Sequence, residues 1–195
     1  MNPPITGILL AAGASSRFGS NKLLYPLEDG VPMVVAAARR LRAAIPRSVA
    51  VVDAPDSEVA ALLRGESLDI VVNPEAGRGM GSSLARGVAA TPAVAGWVIA
   101  LADMPYIPVP VIREVAGRLA AGASVVAPVY RGRRGHPVGF AARHASALMQ
   151  LQGDAGARGV VDANTGSLEP VVVETATVIT DIDTPGDYGA LQPAR

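Results

Sequence analysis

Short apolar runs separated by stretches of helical spacing fill most of the chain. The runs predict buried strands at Thr6–Ala12, Ser48–Asp53, Asp69–Asn73, Gly96–Ala102, Ser124–Tyr130, Pro137–Phe140, Leu168–Val173 and Val178–Thr180. The spacing between them predicts helices at Pro32–Ile45, Ser82–Ala90, Val109–Ala121, Ala142–Leu151 and Ala155–Ala163, with Asp56 capping another that ends near Gly65 and a last one after Pro185. Because the strands are apolar throughout, we expect an α/β fold: a Rossmann-like three-layer sandwich with a mostly parallel sheet.

Composition narrows the classes of protein to consider. The chain has 195 residues, half of them hydrophobic, which fits one domain over residues 1–195. Its 17 basic residues balance 17 acidic ones and aromatic residues are scarce, so we expect no nucleic-acid partner. No apolar run reaches the roughly 18 residues of a spanning helix, so we expect no membrane partner. The chain has no cysteine, which excludes disulfides and thiolate metal sites and suits a cytoplasmic location.

The loop after the first predicted strand carries the strongest chemical signal. It is Leu10-Ala11-Ala12-Gly13-Ala14-Ser15-Ser16-Arg17-Phe18-Gly19-Ser20-Asn21-Lys22, which is neither a Walker loop nor a dinucleotide-binding G-x-G-x-x-G. Its small residues let the backbone approach phosphate oxygens, while Arg17 offers a planar fork and Lys22 a point charge. Lys22 is the only lysine in the chain. A plain turn of small residues is the alternative, but the whole pattern favours a phosphate site.

Three later stretches place polar residues where predicted strands end. The first is Asn73-Pro74-Glu75-Ala76-Gly77-Arg78-Gly79-Met80-Gly81-Ser82-Ser83, which leads into a helix. The start of that helix favours an anion, and the alternative is a flexible connector with an ordinary serine cap. Asp103 follows Gly96–Ala102, where a carboxylate suits Mg²⁺ with substrate phosphates, a helix cap being the alternative. Asp181 and Asp183 share one face of an extended segment, so one of them could complete a metal shell. The alternative is that the carboxylate caps the helix after Pro185.

The first loop, written L-A-A-G-x-S-x-R-[FM]-G-x-x-K, resembles the signature of the nucleotidyltransferases related to molybdenum cofactor guanylyl- and cytidylyltransferases. The resemblance extends from Gly7 to Tyr188 and implies a fold of the nucleotide-diphospho-sugar transferase type. It implies Arg17, Lys22 and Asp103 as catalytic residues and Asp103 and Asp183 as Mg²⁺ ligands. It implies nucleotide contacts from Leu10, Ala11, Ala12, Gly13, Gly19, Lys22, Asn73, Gly81, Ser82 and Ser83.

Several features are similar to the cytidylyltransferase branch in particular. Ala12 stands where the guanylyltransferases typically carry glycine, and the wording G-M-G-S-S-L also resembles this branch. So do Arg134-Gly135-His136-Pro137-Val138 and Gly153-Asp154-Ala155-Gly156-Ala157-Arg158, which implies that His136 and Asp154 lie on the acceptor side. From the residues alone, His136 is more typical of a structural or surface histidine, and Asp154 is equally a helix cap. Arg131, Arg133 and Arg134 form a basic cluster that is either a solvated loop or a phosphate contact.

The resemblance implies Mg²⁺-dependent transfer of CMP from CTP to the phosphate of molybdopterin, with GTP as the alternative nucleotide. A phosphate monoester is largely ionised at neutral pH, so this reaction needs no strong general base. Another phosphorylated acceptor, such as a sugar phosphate or a polyol phosphate, is a near alternative. The family also resembles, in places, a small reductase of nicotine-derived dyes, so an NAD(P)H-dependent reductase of the same fold is a further alternative. The last is a non-catalytic carrier that hands the cofactor to a molybdenum hydroxylase.

Overall fold

The computed structural model describes residues 4–13 and 21–182. Within them the strands are β1 (Ile5–Leu10), β2 (Ser48–Val52), β3 (Asp69–Val72), β4 (Gly96–Leu101), β5 (Val125–Tyr130), β6 (Arg133–Arg134), β7 (Val138–Ala141) and β8 (Leu168–Val172). The helices are α1 (Met33–Ala44), α2 (Glu58–Gly65), α3 (Met80–Ala90), α4 (Val109–Ala120), α5 (Ala145–Met149) and α6 (Arg158–Ala163). None of the helices in these two ranges is long and apolar enough to cross a membrane.

The described strands form a mixed sheet in the order β3-β2-β1-β4-β7-β5. Strands β1 to β4 are parallel to one another, and β7 runs antiparallel between β4 and β5. On β5, β8 pairs in parallel along the outer edge and the short β6 pairs antiparallel. The predicted α/β fold with a mostly parallel sheet is confirmed. Because β2 and β4 flank β1 on opposite sides, the strand order reverses there, and such points bind ligands at the carboxyl ends of the strands.

Helices cover both faces of the sheet. Neighbouring residues of β1 point to opposite faces, so Leu9 packs in a cluster with α1, α2 and α4, whereas Ile8 packs in a second cluster with α3, α5 and α6. Trp97, the chain's only tryptophan, is 3% exposed in the second cluster, and its indole N–H donates to Thr91 Oγ1 at 2.8 Å. These two cores make the predicted three layers.

Two helix starts differ from the prediction. The cap of α2 is Ser57 and not Asp56, because the Ser57 hydroxyl accepts a hydrogen bond from the Ala60 amide. Helix α3 begins at Met80 and follows Gly79, which provides no side-chain cap. The predicted serine caps are therefore wrong, and both serines lie inside the helix: Ser82 and Ser83.

The two helices predicted after β7 are longer than the helices observed there. The predicted helix Ala142–Leu151 is a 3₁₀ turn at Ala142–His144 followed by α5. Helix α6 begins at Arg158 rather than Ala155. The backbone before it visits the left-handed region at Gly156, where φ is +55°, so no helix can run through that residue.

Two other differences concern strands. The predicted strand Val178–Thr180 is wrong, since the chain forms a 3₁₀ turn at Ala176–Val178 there. The Val178 carbonyl bonds to a loop and not to a neighbouring strand, since it accepts the His136 amide at 2.7 Å. Strand β6 was not predicted, because a two-residue ladder leaves no hydrophobic period. The predicted helix after Pro185 lies outside the described residues.

Helix α3 approaches the sheet closely at Gly87. A β-carbon at this position would lie 2.8 Å from Ile8 Cγ2 and 3.0 Å from Val51 Cγ2. Gly117, on α4, is exposed, and no atom lies within 4 Å of where its β-carbon would be. The structure therefore has room for a methyl group at Gly117 but not at Gly87.

We expect Gly87→Ala to lower the free energy of unfolding by about 1–3 kcal/mol, because the added methyl overpacks the interface with β1 and β2. Gly117→Ala is the matched control and should raise the free energy of unfolding by about 0.5–1 kcal/mol, through helix propensity alone. Urea unfolding followed by Trp97 fluorescence measures both. Equal effects of the two substitutions would contradict the close approach at Gly87.

Candidate functional site

The site is built where β1 and β4 end. The two strands pair in register up to Leu10 opposite Leu101, and the Ala102 amide then donates to Leu10 O at 3.1 Å. The pairing brings the loop after β1 beside the loop after β4. Asp103 is thus held two residues beyond β4, at the edge of the sheet where ligands bind.

Lys22 and Asp103 form an ion pair across this edge. The ammonium Nζ donates to Asp103 Oδ2 at 2.9 Å, and the two side chains are 17% and 24% exposed. Lys22 begins a 3₁₀ turn whose start is capped by Asn21, since Asn21 Oδ1 accepts from the Leu23 amide at 3.1 Å. The buried Leu23 side chain anchors the turn in the core. The position of the ammonium is therefore set by packing as well as by charge.

A cleft of about 350 Å³ opens beside this pair, and we call it the first cleft. Its walls come from the ends of β1 and β4, from the loop before α3 and from the segment before α6. Seven of the residues predicted as site residues line it: Leu10, Ala12, Gly13, Lys22, Ser83, Asp103 and Asp154. The volume is at the lower end of the ~300–1,000 Å³ that is typical of small-molecule sites.

The other predicted nucleotide contacts have different surroundings. Asn73 is 4% exposed, and its amide nitrogen donates to Ser82 Oγ and Ser83 Oγ at 3.0 Å each. Asn73 and Ser82 line a separate depression of about 260 Å³ on the other side of the start of α3. Ala11 is buried and its amide donates to Val51 O at 2.9 Å. Nucleotide contacts from Ala11, Asn73 and Ser82 remain predictions.

Two glycines before and within α3 allow another segment to approach. At Gly79, where φ is +98°, a β-carbon would lie 2.6 Å from Asp154 Oδ1; at Gly81 it would lie 2.8 Å from the Gln152 nitrogen. The Gly81 amide donates to Gly153 O at 2.8 Å. Gly81 therefore has a packing role, and its predicted nucleotide contact is untested. The two glycine-rich motifs, far apart in sequence, form a continuous wall.

A second cleft of about 240 Å³ adjoins the first and shares Leu10, Met80, Leu101 and Asp154 with it. Both residues predicted for the acceptor side line it, His136 and Asp154. Arg134 and Arg158 also line it. The sequence left Arg134 open as part of a solvated loop or a phosphate contact, and it gave no role to Arg158, because a single arginine before glycine carries no distinguishing pattern.

His136 is held firmly at the wall of the second cleft. Its backbone amide donates to Val178 O at 2.7 Å, and the preceding Gly135 amide donates to Pro128 O at 2.8 Å. Nδ1 of the ring is buried and has no hydrogen-bond partner among the described residues. Burial lowers the pKa of His136 from the usual histidine value; Asp103 opposes this shift and Arg134 adds to it. The ring is therefore uncharged at neutral pH.

The C-terminal aspartate motif reaches the same edge. The Ile182 amide donates to Asp103 O at 3.1 Å, and the Ile182 side chain is buried while Asp181 is exposed. Asp183 lies outside the described residues, as do Arg17 and Gly19 of the first loop. Within 4–13 and 21–182, no group of three or more metal-ligating side chains gathers in one place.

Comparisons with known proteins agree with this geometry. A family model described as a MobA-like NTP transferase domain matches residues 7–170. Nicotine blue oxidoreductase of Paenarthrobacter nicotinovorans is 35% identical over 165 residues, 80% of each chain. Molybdenum cofactor cytidylyltransferase of Escherichia coli (strain K12) is 28% identical over 184 residues, 93% of this chain and 92% of the relative.

A solved structure supports the same assignment. Rv0371C of Mycobacterium tuberculosis H37Rv, in complex with manganese, superposes with a TM-score of 0.79 at 26% identity, covering 96% of this chain and 97% of that one. The family model spans well over half of the chain. The predicted resemblance is confirmed: the chain belongs to the MobA-like NTP transferase domain family and is an enzyme of the nucleotidyltransferase type.

Proposed function

We propose that this nucleotidyltransferase transfers CMP from CTP to the phosphate of molybdopterin, with release of pyrophosphate. The observation that carries the proposal is the Lys22–Asp103 ion pair, 2.9 Å long, at the wall of the first cleft. It supplies one cation for phosphate oxygens and one carboxylate for a metal ion at a single point. Transfer of a nucleotidyl group needs both kinds of charge.

Magnesium fits the chemistry of the donor set. Mg²⁺ takes one or two carboxylates and completes its shell with water and substrate phosphates, so a single partly exposed carboxylate at Asp103 is sufficient from this part of the chain. In our proposal Asp183 is the second ligand. When bound, Mg²⁺ would neutralise charge on the α-phosphate and on the departing pyrophosphate. Lys22, with Arg17 and the Gly13–Gly19 backbone, would hold the remaining phosphate oxygens.

Support for CTP comes from both the sequence and the relatives. Ala12 lines the first cleft and carries a methyl group where guanylyltransferases typically have glycine. The relative named molybdenum cofactor cytidylyltransferase matches over 93% of this chain. A smaller pyrimidine base suits a cleft of about 350 Å³ that is narrowed by this methyl group.

The acceptor enters, in our proposal, through the second cleft. The two clefts share a wall at Leu10, Met80 and Leu101, so a phosphate placed there reaches a nucleotide in the first cleft. The attacking phosphate is already ionised and needs no strong base. We further propose a single-domain cytoplasmic enzyme over residues 1–195, whose product passes to a molybdenum hydroxylase.

Calorimetry with CTP, GTP and ATP in Mg²⁺ tests the proposal first, followed by pyrophosphate release from CTP on addition of molybdopterin. We expect CTP to bind most tightly and Lys22→Ala to lower the transfer rate by about 10²–10³-fold, as for other charge-stabilising groups. Tighter binding of GTP than of CTP would indicate transfer of GMP and not of CMP. The absence of metal-dependent pyrophosphate release with every phosphorylated acceptor would contradict it.

Lys22→Met should change metal and nucleotide affinity in opposite directions. It removes a positive charge 2.9 Å from Asp103, so Mn²⁺ without nucleotide should bind about threefold to tenfold more tightly. Triphosphate affinity should fall by about tenfold to a hundredfold, because a charge-assisted contact is lost. Paramagnetic resonance of free Mn²⁺ and calorimetry give the two values. Asp103→Asn should abolish the tight Mn²⁺ site, and the control Arg42→Met should change neither value. Unchanged Mn²⁺ affinity in Lys22→Met would refute the assignment of Asp103 to the metal and Lys22 to the phosphates.

Ala12→Gly should shift nucleotide preference toward GTP. Removing the methyl group widens the first cleft for a purine, and one methyl group in a pocket is worth about tenfold in discrimination. The ratio of CTP to GTP affinities measures the shift, with Gly117→Ala as a control that leaves the cleft unchanged. A constant ratio would show that Ala12 does not face the base.

A hydride-transferring enzyme is the second candidate. The observation that favours it is the 35% identity to a protein named nicotine blue oxidoreductase over 80% of each chain. The phosphate-holding edge of the first cleft would then hold a dinucleotide. Loss of nicotinamide absorbance with a dye substrate, together with no triphosphate binding, would put this candidate first.

A further inference from the structure

The second cleft contains two arginines in different electrostatic states. Arg134 forms an ion pair with Asp162, NH1 to Oδ1 at 3.2 Å, and its charge is partly balanced. The guanidinium of Arg158 makes no hydrogen bond or ion pair to any residue in the described ranges, although it lines the cleft and is exposed. Arg158 is therefore the cation that this cleft has available for an incoming anion.

His136 provides a directional group in the same cleft. Because Nδ1 is buried without a partner, placing the ring proton there would bury an unsatisfied N–H group, which is rarely found in proteins. The favoured tautomer has its proton on Nε2, and Nδ1 then carries only a lone pair. His136 lines the second cleft. Because Nδ1 is buried, Nε2 is the ring nitrogen left for a ligand there, and its N–H group is a hydrogen-bond donor.

We propose that Arg158 and the Nε2–H group of His136 jointly hold the phosphate of the acceptor in the second cleft, and so select phosphate monoesters over uncharged acceptors. This inference rests on the proposed function, and it assigns substrate selection to two residues of the chain. The pair combines a planar cationic fork with a single directional donor. Phosphate oxygens accept from both.

An uncharged donor suits the oxygen that attacks. His136 lines the second cleft, which shares Leu10, Met80 and Asp154 with the first. At neutral pH the ring gives a hydrogen bond without carrying a second acidic proton to donate, so the phosphate oxygen keeps its charge and remains a nucleophile. Arg158 supplies the compensating positive charge from the rim.

Phenyl phosphate is the probe, titrated without nucleotide into the full chain at pH 7.5. Nitrogen-15 spectra of the two histidines report the ring state, and the His136→Asn spectrum assigns the signals. We expect His136 as the uncharged Nε2–H tautomer, with signals that move on addition of phenyl phosphate and stay in place on addition of phenol. The Nδ1–H tautomer, or signals that do not move, would overturn the proposal.

Calorimetry with the same probe tests the two residues separately. Arg158→Gln should weaken phenyl phosphate binding about tenfold or more, as expected for a charge-assisted contact, while the exposed Arg42→Gln should have no effect. His136→Gln, whose amide can replace the Nε2–H donor, should retain more affinity than His136→Asn. Weaker binding in Lys22→Met rather than in Arg158→Gln would place the probe at the phosphate site of the first cleft and would overturn the proposal. Affinity in Arg158→Gln equal to that of the wild type would overturn the proposal.

The two levels of the proposal fail in different ways. Each variant is also titrated with the triphosphate that the wild type prefers, which shows that the first cleft is folded and intact. If triphosphate binding and transfer persist but phenyl phosphate affinity is the same in the Arg158 and His136 variants as in the wild type, only the inference on acceptor selection is overturned. A chain that binds phenyl phosphate as expected but binds no triphosphate would overturn the proposed function.

Discussion

The register of β1 against β4 is the constraint on which the site depends. The two strands pair from Ile5–Gly96 to Leu10–Leu101. Both faces of β1 are buried, so hydrophobicity alone does not oppose a slip of one residue. Shape opposes a slip of β1 against its other neighbours, because a β-carbon at Gly7 would lie 3.1 Å from Leu41 Cδ1 on α1 and collide with Ser48 Oγ on β2. This register brings Lys22 and Asp103, 81 residues apart, into contact.

A second close backbone approach separates the two clefts. Glycines at 79 and 81 let the segment at Gln152–Asp154 lie against the start of α3, and the Gly81 amide bonds to Gly153 O at 2.8 Å. Any larger side chain would push the segments apart and open the wall. The same contact places Asp154 on the boundary of both clefts. In the proposed reaction, packing at this wall sets the distance between nucleotide and acceptor.

Much of the fold was predictable because it depends on local patterns. Continuous apolar runs identified β1 and β4, and the pattern of residues assigned Lys22 and Asp103 to ligand-binding loops after these strands. The errors have non-local causes. Val178 bonds to the His136 loop rather than to a strand, and α6 starts late because Gly156 is in the left-handed region. The availability of Arg158 depends on Asp162 pairing with Arg134, which no sequence motif encodes.

In the proposed reaction, the two clefts carry different kinds of charge. On the nucleotide side, Lys22 is a compact ammonium paired with a carboxylate, and such a charge can move between Asp103 and phosphate oxygens as ligands arrive. On the acceptor side, charge is carried by the planar guanidinium of Arg158 and direction by the uncharged imidazole of His136. A leaving pyrophosphate gains negative charge and needs a cation that follows it. An attacking phosphate must keep its charge, so a planar guanidinium and an uncharged imidazole N–H group suit it better than an ammonium or an imidazolium would.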